Sequence, residues 1–264
     1  MSELLSTFRK LHQGPDLLRL ANAWDAGSAR LAESVGAPAV ATTSAGVAWS
    51  LGYADGGPMP AGAALAAAHN IARVLSVPLT VDFEDGYSAD PSVVAGHIVQ
   101  LVHSGVAGIN IEDGAEAPTV LAAKIEAIKK AAAGAGGDIF VNARTDVYLR
   151  GLAPEGARVA EVLARAELYR NAGADGLFVP GICVRDEIGQ VVDGAGLPLN
   201  VMDWPGLPVA ELSALGVRRL SAGAGIAATL WGVAREAMQS FLAGGAPPAG
   251  HRAMEYGEIQ QLFS

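Results

Sequence analysis

The residues of this chain best suited to chemistry fall in pairs two positions apart: Asp82 and Glu84 in VDFEDGY (81–87), Asn110 and Glu112 in AGINIEDG, and Asn142 and Arg144 in IFVNARTD. Each pair closes a short apolar run, such as Val77 to Val81 ahead of Asp82. Side chains two apart on a strand share a face, so each pair reads as one side of a strand end, with Phe83 turned away. Neighbouring carboxylates repel unless a proton, a cation or solvent stands between them. That leaves two readings of Asp82 and Glu84, a metal or raised-pKa site and a pair of solvated loop acids. As hard oxygen donors, Asp82, Glu84 and Glu112 suit Mg2+, with Mn2+ as a substitute, whereas Zn2+ prefers nitrogen or sulfur. Arg144 offers a planar fork to a substrate carboxylate, or else forms a structural ion pair with Glu112. A cation beside an arginine fits an anionic substrate that chelates through a carboxylate and a 2-oxo or 2-hydroxy oxygen, and there it stabilises an enolate.

Such pairs converge only if the strands that carry them lie side by side. Strand-like runs recur at 17–25, 39–44, 78–83, 107–112, 139–144, 175–180, 198–203 and 218–223, separated by helical patterns at 28–36, 61–76, 91–105, 120–133, 155–173, 184–192 and 209–216. Several helices end in Gly followed by Ala or Val and the next strand, as in SGVAGINI and NAGADGLFV, the signature of a helix stopping before a parallel strand. About eight βα units in 264 residues favour a closed (β/α)8 barrel over an open doubly wound sheet. In a barrel the carboxyl ends of the strands share one mouth, which brings the three pairs together. The chain reads as a single domain over 1–264, with a leading helix within 2–13, the barrel over about 16–224 and a C-terminal helical arm over about 225–264 broken by APPAG (246–250). Trp231, Met238, Phe241 and Leu242 form an apolar stripe on that arm, suited to packing on the barrel or to docking on another subunit.

Composition narrows the function classes. Hydrophobic residues make up 51% and charged residues 17%, which fits a packed enzyme scaffold better than a disordered chain. A net charge of −9 without a basic cluster argues against nucleic acid as a partner. The single cysteine, Cys183, excludes an internal disulfide and reads as a buried inert thiol. With no secretory signal pattern and no apolar run of membrane-span length, the expected compartment is the cytoplasm. His69, His97 and His103 fall on helices away from strand ends and read as surface or packing residues. Ser221, Gly223 and Gly225 follow the eighth strand, where either anion binding or plain turn geometry accounts for them.

VDFEDGY, NIEDG and NARTD, with TTSAGVAWSLGYADG on the second strand and its loop, resemble the isocitrate lyase and phosphoenolpyruvate mutase superfamily, most strongly from Trp24 to Asp146. The resemblance implies a modified TIM-type barrel that binds Mg2+ and breaks or rearranges carbon-carbon or carbon-phosphorus bonds of 2-oxo and 2-hydroxy acids through an enolate. It implies that Asp82 ligates the metal directly, that Glu84 and Glu112 bind it mainly through water, and that Arg144 holds the substrate carboxylate together with Thr43 and Ser44. Asp55 is placed beside the metal, and Arg144, Asp55 and Glu112 form the expected catalytic set. A homotetramer, a dimer of dimers that exchanges the last barrel helix, is also implied. One departure stands out. The superfamily's gating loop after the fourth strand carries a Lys-Lys-Cys-Gly-His or Lys-Arg-Cys-Gly-His run, or a lysine and an asparagine in the phosphonate branch. Here GAEAPTV (114–120) has none of these, and Glu116 is its one titratable group. Lys124 falls on the following helix, where a solvated face is expected. The reading is therefore a Mg2+-dependent carbon-carbon lyase for small 2-oxo or 2-hydroxy di- or tricarboxylates. The alternatives are an oxaloacetate or phosphonopyruvate hydrolase or decarboxylase and a non-catalytic 2-oxo acid binding barrel.

Overall fold

The computed structural model describes residues 2–246, 250 and 252–264, and in it eight parallel strands close into a barrel in sequence order. They are β1 (Leu18–Ala23), β2 (Val40–Thr42), β3 (Leu79–Asp82), β4 (Gly108–Glu112), β5 (Phe140–Arg144), β6 (Gly176–Phe178), β7 (Leu199–Met202) and β8 (Arg219–Ser221), which pairs back onto β1. The helices are α1 (Glu3–Leu11), α2 (Ala26–Ser34), α3 (Ser44–Ser50), α4 (Ala61–Ala72), α5 (Pro91–His103), α6 (Pro118–Gly134) and α7 (Arg158–Asn171). They continue with α8 (Arg185–Ala195), α9 (Val209–Ala214), α10 (Gly225–Leu242) and α11 (Tyr256–Gln261). The expected barrel is what forms. Part of the break expected at 246–250 lies outside the described residues, at 247–249. Among the described residues no helix is long and apolar enough to cross a membrane.

Register sets the site. Asp82 pairs with Asn110, Asn110 with Asn142, and Glu112 with Arg144, so the polar ends of β3, β4 and β5 stand at matching heights on neighbouring strands. Alternation then sorts each strand, sending Ile109, Ile111, Val141 and Ala143 outward into the fully buried layer under the helices and Asn110, Asn142 and Arg144 toward the barrel axis.

The lower half of the barrel is plugged from below. α1 buries Leu5 and Phe8 with Leu18, Leu20, Ala39, Ala41 and Phe140 in a second apolar cluster. A Cβ on Gly108 would lie 2.7 Å from the Phe8 ring, so glycine there is what admits the plug. Arg9 clamps α1 to the strand starts through Asp138 at 2.7 Å and Asp175 at 2.5 Å, and Lys129 bridges the same two acids. Above the plug lies a polar tier of Asn22, Asn110, Asn142, Asn200, Arg219 and Ser221, all buried. Arg219 and Asn142 both donate to Asn110 Oδ1, at 3.0 and 2.9 Å. With its oxygen so engaged, the Asn110 amide turns its Nδ2 up toward Asp82 Oδ1, at 3.4 Å.

Candidate active site

A cavity of about 170 Å³ opens at the carboxyl ends of the strands, and Thr43, Ser44, Asp55, Asp82 and Arg144 all line it. A larger hollow of about 430 Å³ lies at the opposite end, beside Arg9, His12 and Arg218. Chemistry belongs at the carboxyl end of a barrel and stability at the other, which makes the smaller cavity the candidate site.

Asp82, the last residue of β3, is held from several directions. Its backbone N–H donates to Thr42 Oγ1 at 2.8 Å, and its Oδ2 accepts from the Ser44 backbone N–H at 3.2 Å. Ser44 was expected as the end of the second strand, but it opens α3, with Thr43 as the residue before it. The aspartate therefore faces the first turn of a helix, whose free N–H groups favour an anion. The stretch read as a loop after the second strand is thus partly helical, because Ser44 to Ser50 buries Ala45, Val47 and Ala48 against the barrel.

Glu84 corrects the alternation argument. β3 ends at Asp82, and Glu84 sits beyond it at φ 48°, with Tyr87 at φ 59°. Among the described residues these are the two non-glycine positions with positive φ, and both lie in VDFEDGY. Backbone held in this region without glycine costs about 1–3 kcal/mol and collects at functional sites. The turn is fixed by Tyr87, whose hydroxyl donates to Glu84 Oε1 at 2.7 Å, and by the Glu112 N–H, which donates to the Glu84 carbonyl at 2.9 Å.

Glu112 and Arg144 realise the alternative of an ion pair, at 2.7 Å. Arg144 also donates through Nε to Asp146 Oδ1 at 2.7 Å and through Nη2 to Asp146 Oδ2 at 3.2 Å. Glu112 was expected among the catalytic and metal-binding residues. Its carboxylate is taken up by Arg144, whose guanidinium it helps to orient. Asp55 is exposed at the rim.

Several contributors escaped the sequence reading. Asp146 and Asp113, the final acids of NARTD and NIED, form a buried clamp under Arg144. Asp113 accepts from the Asp146 N–H at 2.9 Å, from Arg165 at 2.8 Å and from the Tyr169 hydroxyl at 2.6 Å. The two-residue spacing that marks Asn142 and Arg144 continues to Asp146 and was the available signal. Asn22 accepts from the Gly223 N–H at 3.0 Å and ties β1 to the turn after β8. Lys124 is a correction: it is buried, not solvated, and donates to the Asp85 carbonyl at 2.7 Å, bracing VDFEDGY from α6. Cys183, expected as a buried thiol, is only partly buried. Ser221 and Gly223 line the cavity, whereas His69, His97 and His103 lie on α4 and α5.

The electrostatics show a shortage of positive charge. Burial pushes Glu112 upward, Arg144 pulls it back, and Asp82, Asp146 and Glu84 raise it again, to about 8. Glu84 is raised by burial and by Asp82, Asp55 and Asp85, against the Tyr87 hydrogen bond. Arg144, surrounded by Glu112, Asp82 and Asp146, is held above the usual arginine range despite its burial. At neutral pH such a cluster takes up a proton or a cation.

Among the described residues no group of three or more His, Cys, Asp or Glu side chains stands close enough to hold a metal by itself. Mg2+ commonly takes one or two carboxylates and keeps several waters, and Asp82 meets that need while Glu84 and Glu112 are engaged by Tyr87 and Arg144. The oxygen-only donor set and the excess of acids fit a hard divalent cation.

The family profile described as phosphoenolpyruvate phosphomutase matches residues 8–242. An uncharacterised protein of Mycobacterium tuberculosis is 41% identical over 217 residues, covering 80% of this chain and 79% of that protein. The 2-methylisocitrate lyase of Bacillus subtilis is 30% identical over 210 residues, covering 75% of this chain and 66% of the enzyme. The crystal structure of 2,3-dimethylmalate lyase superposes with a TM-score of 0.87 at 29% identity, covering 99% of this chain and 95% of that one.

Proposed function

Given that the chain belongs to the isocitrate lyase and phosphoenolpyruvate mutase superfamily, whose members are carbon-carbon lyases or mutases, we propose that it is a Mg2+-dependent carbon-carbon lyase. Its substrates are small 2-oxo or 2-hydroxy di- or tricarboxylates, cleaved through an enolate. One observation carries this reading: Asp82 and Arg144, 62 positions apart in the chain, line the same small cavity at the carboxyl mouth of the barrel. Asp82 would hold the ion, with Glu84 and Glu112 reaching it through water. The ion, when bound, supplies charge stabilisation to the oxygens of the developing enolate.

The chain's own groups do the rest. Arg144 receives the substrate carboxylate on a guanidinium whose plane is already set by Glu112 and Asp146, so little order is lost on binding. Thr43 and Ser44 border the same space and orient that carboxylate. Asp55, open to solvent at the rim, exchanges the proton that departs or arrives with the leaving fragment.

A second reading, hydrolysis or decarboxylation of oxaloacetate or phosphonopyruvate, is favoured by the connection from β4 to α6. It is shorter than the sequence indicated, because α6 begins at Pro118. Asp113 is buried in its clamp and Glu116 is exposed to solvent, so water would serve as the proton donor. We further propose a homotetramer built on α10. Met238, Phe241 and Leu242 are exposed by 64%, 80% and 83%, and Trp231, which meets Trp49 edge to face, by 53%, an exposure that supports docking on another subunit.

The test is a panel of oxaloacetate, isocitrate, 2-methylisocitrate and phosphonopyruvate with Mg2+, assayed for pyruvate, glyoxylate, succinate, acetate and oxalate. Cleavage abolished by EDTA and reduced about a hundredfold or more by Asp82→Ala is expected. Oxalate with acetate from oxaloacetate, or loss of only carbon dioxide or phosphate, would favour the second reading. Tight binding without product would reduce the protein to a 2-oxo acid receptor.

A further inference from the structure

The proposed cleavage calls for a second cation. When a 2-hydroxy acid is cleaved, the hydroxyl gives up its proton, its carbon becomes the 2-oxo carbon of one product, and the bond to the neighbouring carbon breaks. The electron pair of that bond moves into the carboxylate carried on the departing carbon, giving an enediolate that then takes up a proton on carbon. This second carboxylate passes from one negative charge to two. A positive partner there stabilises the transition state more than the substrate.

The cavity lining offers no such partner. Arg144 is its one cation, and in the proposed pose it takes the first carboxylate with Thr43 and Ser44. β6 and β7 end in Phe178 and Met202, whose side chains carry no donor. The polar groups next to Met202 are neutral and engaged. Asn22 donates to the Thr42 carbonyl at 2.8 Å and accepts from the Gly223 N–H at 3.0 Å, and the Ser221 hydroxyl donates to Asn200 Oδ1 at 2.9 Å. Ala224, beside them, has no side-chain donor.

Arg150 stands just outside that lining. It follows Leu149, which lines the cavity, on a turn closed by the Arg150 N–H on the Asp146 carbonyl at 2.8 Å and the Leu152 N–H on the Val147 carbonyl at 3.0 Å. Its Nε donates to Asp146 Oδ2 at 3.0 Å, and Arg144 Nη2 donates to the same oxygen at 3.2 Å, so one carboxylate oxygen holds the two guanidiniums side by side. Asp146 is fully buried and already met by Arg144 on both of its oxygens, so it does not need Arg150 as a partner. The Arg150 side chain is 52% exposed, and its Nη groups have no partner among the described residues. An exposed ion pair of this kind adds little to stability. What Arg150 adds is an open fork of donors at the rim, next to the arginine that holds the first carboxylate.

We propose that Arg150 receives the second carboxylate of the substrate, the one into which the electron pair moves, and so selects 2-hydroxy acids with a carboxylate on the departing carbon. This assignment rests on the lyase reading of the same cavity and gives that reading a specificity residue.

The experiment compares malate, which has that carboxylate, with lactate, which lacks it. Both are titrated calorimetrically into the Mg2+-loaded protein in competition with oxalate, a probe of the Asp82 and Arg144 side alone. Malate is expected to bind at least about tenfold more tightly than lactate. Arg150→Gln is expected to bring the two within about twofold of each other, with oxalate affinity and melting temperature unchanged. Equal binding of malate and lactate by the wild type, or a malate preference that survives Arg150→Gln, would overturn the assignment and leave the lyase reading standing. A loss of oxalate affinity in the variant as large as the loss for malate would make Arg150 a prop for Asp146 and overturn the assignment likewise. Failure of oxalate to bind the wild type would overturn both.

Discussion

At the level of single residues, the site is an arginine held by acids that are themselves held. Arg144 is aimed by Glu112 and Asp146, and Asp146 is anchored through Asp113 to Arg165 and Tyr169. Lysine cannot reproduce a fork that meets two carboxylates and a substrate at once. Arg144→Lys is therefore expected to lower kcat/KM about a hundredfold with an unchanged circular dichroism spectrum. Asp113→Ala acts on stability, since it strands a buried guanidinium and a buried hydroxyl. Urea unfolding should show a loss of about 3–5 kcal/mol. In the sequence both acids look like further members of the acidic cluster. Their burial separates them from Asp82, and burial of a short polar loop depends on Arg165 and Tyr169 more than 50 positions away.

At the level of elements, the eight strands were legible because short β-branched runs bounded by glycine and polar residues leave little choice of state. Three features were not. The α3 helix reads as loop because SAGVAWS is short and rich in small residues. The turn at Glu84 breaks strand alternation through a positive φ that no non-glycine residue advertises. Lys124 leaves its expected solvated face because one carbonyl, that of Asp85, accepts its charge. The plugging helix α1 carries a pH signature. Burial and then nearby Arg219 lower His12 to about 3 against an ordinary 6.5, although its ring nitrogen lies 2.8 Å from the Phe8 carbonyl. The unfolded chain thus binds a proton that the folded chain refuses. Stability from this group is complete above pH 6.5 and falls as the pH drops toward 3. The folding constant should weaken by up to about tenfold per pH unit across that window, and denaturant titrations of His12→Leu should lack this component. Phe8→Ala is expected to cost about 3–5 kcal/mol in the same measurement.

At the level of the whole molecule, the barrel supplies one charged mouth while the C-terminal helices supply an exposed apolar face. If α10 joins copies of the chain, sedimentation should show a particle several times the mass of one chain, and the double variant F241E/L242E should sediment as a single chain. A wild-type protein that already sediments as one chain would contradict the proposed tetramer without touching the site. The central claim is that Asp82 anchors a divalent cation beside Arg144, where a planar dianion resembling the pyruvate enolate can join it. Calorimetric titration of Mn2+ into the metal-free protein, with and without oxalate, tests this most directly. The account predicts that Mn2+ binds, that oxalate tightens it, and that Asp82→Ala abolishes both effects while leaving the melting temperature intact. Equal Mn2+ binding by the Asp82→Ala variant, or no binding by the wild type, would contradict it.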